Sequence, residues 1–161
     1  MGNPEKKENI IMAVMIFVID SGKNVLLLKR VNNNQWEPVK GGINIGETWL
    51  NATLRELKEE TGFIPQTMPE LIAIVNDEID TEQGSKTKIK GYVSYCYVSG
   101  IEPIPILNGD NEFEHNNFKW ISLKKIESEK IYPPIANNLI VEIKKNYFDF
   151  KQSTFYHFFN Y

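Results

Sequence analysis

Three carboxylates give the first sign of chemistry in this chain. Glu56, Glu59 and Glu60 stand at spacing i, i+3, i+4, which on a helix crowds them onto one side. Like charges at that spacing repel, so folding alone gives no reward for the arrangement. A divalent cation does. Mg²⁺ is hard, takes oxygen ligands in an octahedron, and keeps waters beside a few carboxylates and substrate phosphates. Such an ion offsets the repulsion and neutralises a polyphosphate. It also acidifies a water and orients it for in-line attack on phosphorus. The competing reading is a solvated acidic face, but a plain surface helix mixes charge signs along that side.

Holding these groups requires a helix, and the residues from Thr48 to Thr61 supply one. Thr48 is placed to cap its start. Leu50, Leu54 and Leu57 form an apolar stripe at helical spacing. Gly62 suits the position just past the end, with Phe63 and Pro65 closing it. At 100° per residue the glutamates centre well away from the leucines. One side is therefore expected to pack on a sheet while another offers carboxylates to a cleft. Arg55 precedes Glu59 by four residues, close enough to pair with it and hold its rotamer.

Strands are expected on either side of the helix. Ile10 to Ile19 is rich in Ile, Val and Phe, and Asp20 to Asn24 is a turn cluster. Val25 to Arg30 then completes a hairpin with the first strand. Val31 to Gln35 is a polar loop, and Trp36 to Gly42 a short extended piece in which Pro38 discourages helix. Leu71 to Val75 and Lys88 to Ser99 read as strands joined by a polar loop from Asn76 to Thr87. Phe113 to Ile121 is a further strand, Ser122 to Glu129 a short helix, and Ile135 to Tyr147 a longer one. This layout is α+β, a mixed sheet between helices, rather than a doubly wound parallel sheet.

At 161 residues the chain reads as one domain, 1–161, with a proper core. Residues 1–9 are polar and lack a signal-peptide core. The apolar run Ile10 to Ile19 is too short to cross a bilayer as a helix. The net charge is −3 with no basic block, which argues against long nucleic acid as the main ligand. The single cysteine, Cys96, cannot form an intrachain disulfide, which fits a reducing, cytoplasmic setting. It reads as a packed strand residue rather than a nucleophile. The stretch 148–161 is strongly aromatic; it is expected to fold back on the domain, or else to form a homodimer contact.

The segment from Gly41 to Phe63 resembles the Nudix box, the signature of Nudix (MutT-like) hydrolases. Gly41, Glu47, Arg55, Glu56, Leu57, Glu59, Glu60, Gly62 and Phe63 all meet its pattern. At average residue usage, nine such positions match by chance on the order of 10⁻¹⁰ per start point. The resemblance implies the Nudix fold and hydrolysis of a nucleoside diphosphate linked to another group. It implies a small-molecule nucleotide substrate and a Mg²⁺ cofactor, with Mn²⁺ as the alternative ion. By the same resemblance, Gly41 lends a backbone carbonyl to the metal and Glu56, Glu59 and Glu60 ligate it. One of the three often serves as base in the family; Glu59 and Glu60 are expected as the main ligands, Glu56 as ligand or base, Arg55 as the orienting residue, and Glu47 as a structural or supporting one.

Outside the box, Glu114 is the preferred further metal ligand over Glu112, since family members often place a glutamate in this region. Arg30 can grip a phosphate as a planar fork, and Lys40 can touch phosphate beside the glycine turn. Trp36 can stack on a base or cap the core. His115 reads as a structural histidine with an acid–base role as the alternative. Two stretches resemble the dATP/dihydroneopterin triphosphate pyrophosphohydrolase branch: Trp36-x-x-Val39-x-Gly41-x-Ile43, and Glu114-His115-x-x-Phe118-Lys119-Trp120-Ile121. Lys40 departs from it and resembles the diadenosine polyphosphate and decapping branches. The expected reaction is cleavage of a nucleoside or pterin triphosphate to monophosphate and pyrophosphate. A dinucleoside polyphosphate or RNA-cap hydrolase is the alternative, and a non-catalytic nucleotide sensor is the reading from another class.

Overall fold

The fold is known from a computed structural model, which describes residues 10–80, 86–107 and 114–145. The strands are β1 (Ile10–Ile19), β2 (Asn24–Arg30), β3 (Trp36–Glu37), β4 (Val39–Gly42), β5 (Glu70–Asp80), β6 (Lys86–Tyr97) and β7 (His115–Ser122). Helix α1 spans Trp49–Thr61, and a second helix occupies residues 135–145. The short helix expected from Ser122 to Glu129 is a 3-10 turn at Ile126–Ser128.

All seven strands join one mixed sheet, with β1 at its centre, parallel to β6 along its whole length. Its other edge pairs antiparallel with β4 from Ala13 to Ile16. The expected β1–β2 hairpin narrows to one residue pair, Ile19 with Val25, because β4 occupies the edge that β2 would have filled. β2 instead pairs with β7 on one side and β3 on the other. Asn76 to Asp80, expected as loop, continues strand β5 opposite Lys86 to Lys90. The side chains along the described part of this extension are exposed at Asn76, Asp77 and Glu78, so backbone pairing outweighs their polarity.

Successive β1 side chains point to opposite faces, and from Val14 to Ile19 both faces are buried. Val14, Ile16 and Val18 join Leu26, Leu28, Val39, Ala52 and Leu57 under α1. Met15, Phe17 and Ile19 join Val25, Leu27, Ala136, Ile140 and Ile143 on the other side. The sheet thus lies between two helices, as the sequence layout implied. Cys96 is buried within the α1-side cluster and its thiol is pushed up to about 12 by burial, which suits packing and not nucleophilic attack. No helix among the described residues is long and apolar enough to cross a membrane. The aromatic stretch 148–161, with its expected fold-back or dimer contact, lies outside the described residues, as does Glu112.

Candidate active site

Helix α1 carries the glutamates, and local chemistry fixes both of its ends. The Thr48 hydroxyl accepts a bond from the Asn51 amide at 3.1 Å. Gly62 adopts φ 72°, the left-handed conformation, and donates its amide to the Lys58 carbonyl. The buried arc differs from the leucine stripe. It consists of Ala52, Thr53, Glu56, Leu57, Glu60 and Thr61, while Leu50 and Leu54 are half-buried. Glu56 and Glu60 therefore face into the protein, at 9% and 8% exposure. The reason is β4, which runs beside the helix and draws the packed arc toward the carboxylates.

β4 meets Glu56 at Gly41. A Cβ at position 41 would collide with the Glu56 carboxylate, so glycine is the residue that lets strand and carboxylate approach this closely. The adjacent Gly42 carbonyl accepts a 2.7 Å bond from Arg55 Nη2. Arg55 holds the whole arrangement. Its Nε and Nη2 engage both oxygens of Glu47, at 2.9 and 3.0 Å. Its Nη1 donates to Glu56 at 2.6 Å and to Glu59 at 3.1 Å. Glu47 also accepts from the Asn44 amide at 2.9 Å. Its bonds to Arg55 hold Glu47 below the usual carboxylate range, and the same bonds raise the Arg55 guanidinium well above its ordinary value. Arg55 thus touches Glu47, Glu56 and Glu59, the last two being groups it was expected to orient.

Glu60 has little such compensation. Burial, together with the nearby charges of Glu114 and Glu56, pushes its carboxyl up to about 9. It accepts a long hydrogen bond, 3.4 Å, from the Lys40 amide. Burial likewise raises Glu56, against the opposing pull of Arg55. Glu60, Glu114 and His115 place ligand-type atoms within 4.8 Å of one another. Glu56 and Glu60 are buried oxygen donors with raised affinity for protons, and with the Glu114 oxygen close to Glu60 they are the kind of donor set a hard divalent cation prefers. Of the other expected ligands, Gly41 packs against the Glu56 carboxylate and Glu59 shares Arg55 Nη1 with it. His115 adds a nitrogen that Mg²⁺ does not need.

The other expected contacts are placed differently. Trp36 is not brought to the carboxylates. Its ring packs against the far-side cluster, with Lys119 Nζ 4.4 Å and Lys29 Nζ 5.7 Å from its centroid. Arg30 and Lys40 do lie on the carboxylate side, but both are engaged by Glu37. Arg30 Nη1 lies 3.1 Å from Glu37 Oε1 and its Nη2 2.8 Å from Glu114; Lys40 Nζ lies 3.2 Å from Glu37 Oε2. Glu37 is fully buried and also bonds His115 Nε2 at 3.0 Å. Burial works against its charge, but His115, Lys40 and Arg30 outweigh it and hold Glu37 below the usual range. An acceptor-only carboxylate at Oε1 requires the His115 Nε2 to carry a proton.

Sequence reasoning missed Glu37, and a β-bulge explains why its partners could not be read. Leu28 and Phe118 face α1, whereas Lys119 faces Trp36 on the other side. Strict alternation would send His115 to the Trp36 face. A register shift between Lys29 and Arg30 instead sets His115 opposite Arg30, turning it toward Glu37. Bulges re-aim side chains in this way beside functional sites.

A family model for the NUDIX domain matches residues 10–140. The chain belongs to the Nudix family. Among curated Nudix relatives, an RNA pyrophosphohydrolase of Acinetobacter baylyi is 44% identical over 52 residues, 32% of this chain and 31% of that protein. The match thus spans about a third of that relative's length. An RNA pyrophosphohydrolase of Pelagibacter ubique is 29% identical over 126 residues, 70% of this chain and 77% of that protein. The crystal structure of a MutT protein from Methanosarcina mazei Go1 superposes with a TM-score of 0.69 at 22% identity, covering 87% of this chain and 96% of that one. That likeness supports the Nudix fold. Nudix hydrolases use a divalent metal, and the acidic cluster of this chain suits one.

Proposed function

We propose that this Nudix hydrolase cleaves a phosphoanhydride bond in a free (deoxy)nucleoside triphosphate or a related pterin triphosphate, releasing monophosphate and pyrophosphate. Mg²⁺ would be held by Glu56, Glu59, Glu60, Glu114 and the Gly41 carbonyl. The observation that carries the reading is the convergence of Glu56, Glu60 and Glu114, two of them buried, with a carboxyl at 60 pushed up to about 9. Burial of that much negative charge is costly unless a cation joins it.

When bound, the ion supplies charge neutralisation for the phosphates and a more acidic water. The chain's own residues do the rest. Arg55 sets the rotamers of Glu56 and Glu59 through one shared Nη1. Gly41 leaves the space in which the Glu56 carboxylate sits. Glu56, raised by burial, is suited to take a proton from the attacking water, because a base works best when its pKa approaches the working pH; Glu59 is the other candidate. Arg30 and Lys40 add positive charge beside the carboxylates, where they would meet the phosphate chain. A reducing, cytoplasmic setting belongs to the proposal, in keeping with the buried free Cys96.

A second reading, action on the 5′ end of RNA or on a dinucleoside polyphosphate, has one specific support. Both curated relatives described above are named RNA pyrophosphohydrolases. A substrate panel separates the two. NTPs, dNTPs, dihydroneopterin triphosphate, diadenosine polyphosphates and triphosphate-ended or capped RNA would be ranked by kcat/KM with Mg²⁺. The proposal expects a free triphosphate to lead. An RNA end or a dinucleoside polyphosphate preferred by tenfold or more would replace it with the second reading.

A further inference from the structure

Glu56, Glu59 and Glu60 are fixed by one capped helix, but Glu114 stands on a different element, immediately before β7, with a side chain 43% exposed. Something else must aim it. It pairs with Arg30 Nη2 at 2.8 Å, and the same guanidinium reaches Glu37 through Nη1 at 3.1 Å. The next residue, His115, is tied directly to the same Glu37 oxygen at 3.0 Å. Both residues at the start of β7 are thus anchored to one buried carboxylate, one directly and one through Arg30. We propose that Glu37 is a positioning residue for the metal site: it holds Arg30 and His115 so that Glu114 stays within reach of Glu60.

Several features make Glu37 suited to this. It lies on β3, which pairs with β2 through Leu28–Glu37 and Lys29–Trp36, so its backbone is held in the sheet. It is fully buried, so its partners cannot exchange it for water at low cost. Lys40 Nζ lies 3.2 Å from its second oxygen, an ion pair without hydrogen-bond geometry that adds charge compensation. Arg30 also donates from Nε to Asn32 at 3.1 Å, which leaves its fork aimed at Glu37 and Glu114. The bulge that turns His115 toward α1 serves the same anchor. Groups that hold a ligand from behind typically change metal affinity or activity by about 10–100-fold when removed.

The inference rests on the reading of the carboxylate cluster as a metal site, and its test separates the two. Mn²⁺ alone would be titrated into the full chain, without nucleotide, and bound ion followed by its electron paramagnetic resonance signal. Glu37→Gln keeps the shape of the side chain and removes its charge. Its Mn²⁺ dissociation constant is expected to rise by about 10–100-fold. Glu114→Gln should give a loss of similar size, and the double variant little more than either alone, because both changes remove one linked function. A merely structural role for Glu37 would lower the melting temperature and leave the two losses additive. Arg30→Gln breaks the same link at a quarter-exposed residue; it should reproduce the loss and keeps the test decisive if the Glu37 variant fails to fold. Wild type that binds no Mn²⁺ would overturn the metal-site reading itself. Wild type that binds while neither Glu37→Gln nor Arg30→Gln weakens it would overturn the positioning role alone.

Discussion

Replacing Glu60 with glutamine should stabilise the metal-free protein, and increasingly so as pH rises. The Glu60 carboxyl is 8% exposed and pushed from an ordinary value of 4.5 to about 9 by burial and by the charges of Glu114 and Glu56. A folded-state pKa above the unfolded one means that the native protein binds more protons between those values. Wild-type stability therefore falls as pH rises through the window from about 4.5 to about 9, by up to roughly 1.4 kcal/mol per pH unit. The glutamine cannot ionise and carries no such slope. From pH 5.5 to 7.5 the difference between variant and wild type should grow by up to about 2.7 kcal/mol. For a chain of this size that corresponds to about 5–10 °C in Tm. The assay is thermal and urea unfolding of both proteins in excess chelator across pH 5–8.5. Saturating Mg²⁺ should then raise the wild-type Tm and close the gap, since an ion that binds the native state stabilises it. A wild-type-to-variant difference that does not change with pH would mean that Glu60 ionises without cost where it stands, against this expectation.

Two further substitutions probe the supports. Gly41→Ala places a methyl group against the Glu56 carboxylate; misplacing a reacting group by about 1 Å costs on the order of 10² in rate, so kcat should fall by about that factor while circular dichroism stays native. Arg55→Lys replaces a fork that spans Glu47, Glu56, Glu59 and the Gly42 carbonyl with a point charge that cannot make those bonds together. Turnover should drop about 10–100-fold, checked by steady-state kinetics beside a melting curve.

The helix was legible because each of its signals is local. Thr48, Gly62 and the spacing of Glu56, Glu59 and Glu60 act within the segment, and the structure places them as the spacing requires. The face it buries was less legible. Leu50, Leu54 and Leu57 define an apolar stripe, yet β4 draws Ala52, Glu56 and Glu60 inward instead, and a strand's position is a tertiary fact. The extension of β5 to Asp80 was hidden for the opposite reason: its polar side chains suit the surface, and pairing with β6 supplies the order. Glu37 was unreadable because nothing at Trp36-Glu37-Pro38 announces that Arg30, Lys40 and His115 converge there. That convergence depends on one extra residue in β7, and a bulge reverses the face of every residue beyond it.

Under the proposed function, the α1 carboxylates act with a divalent cation in hydrolysing a phosphoanhydride. The most direct test follows nucleoside triphosphate by ³¹P NMR with purified protein, in Mg²⁺ or in chelator, for wild type, Glu59→Gln and Glu60→Gln. Mg²⁺-dependent appearance of monophosphate and pyrophosphate is expected, with a loss of about 10²–10⁴ in turnover for each variant. Near-normal turnover in both variants, or full activity of the wild type in chelator, would contradict that expectation.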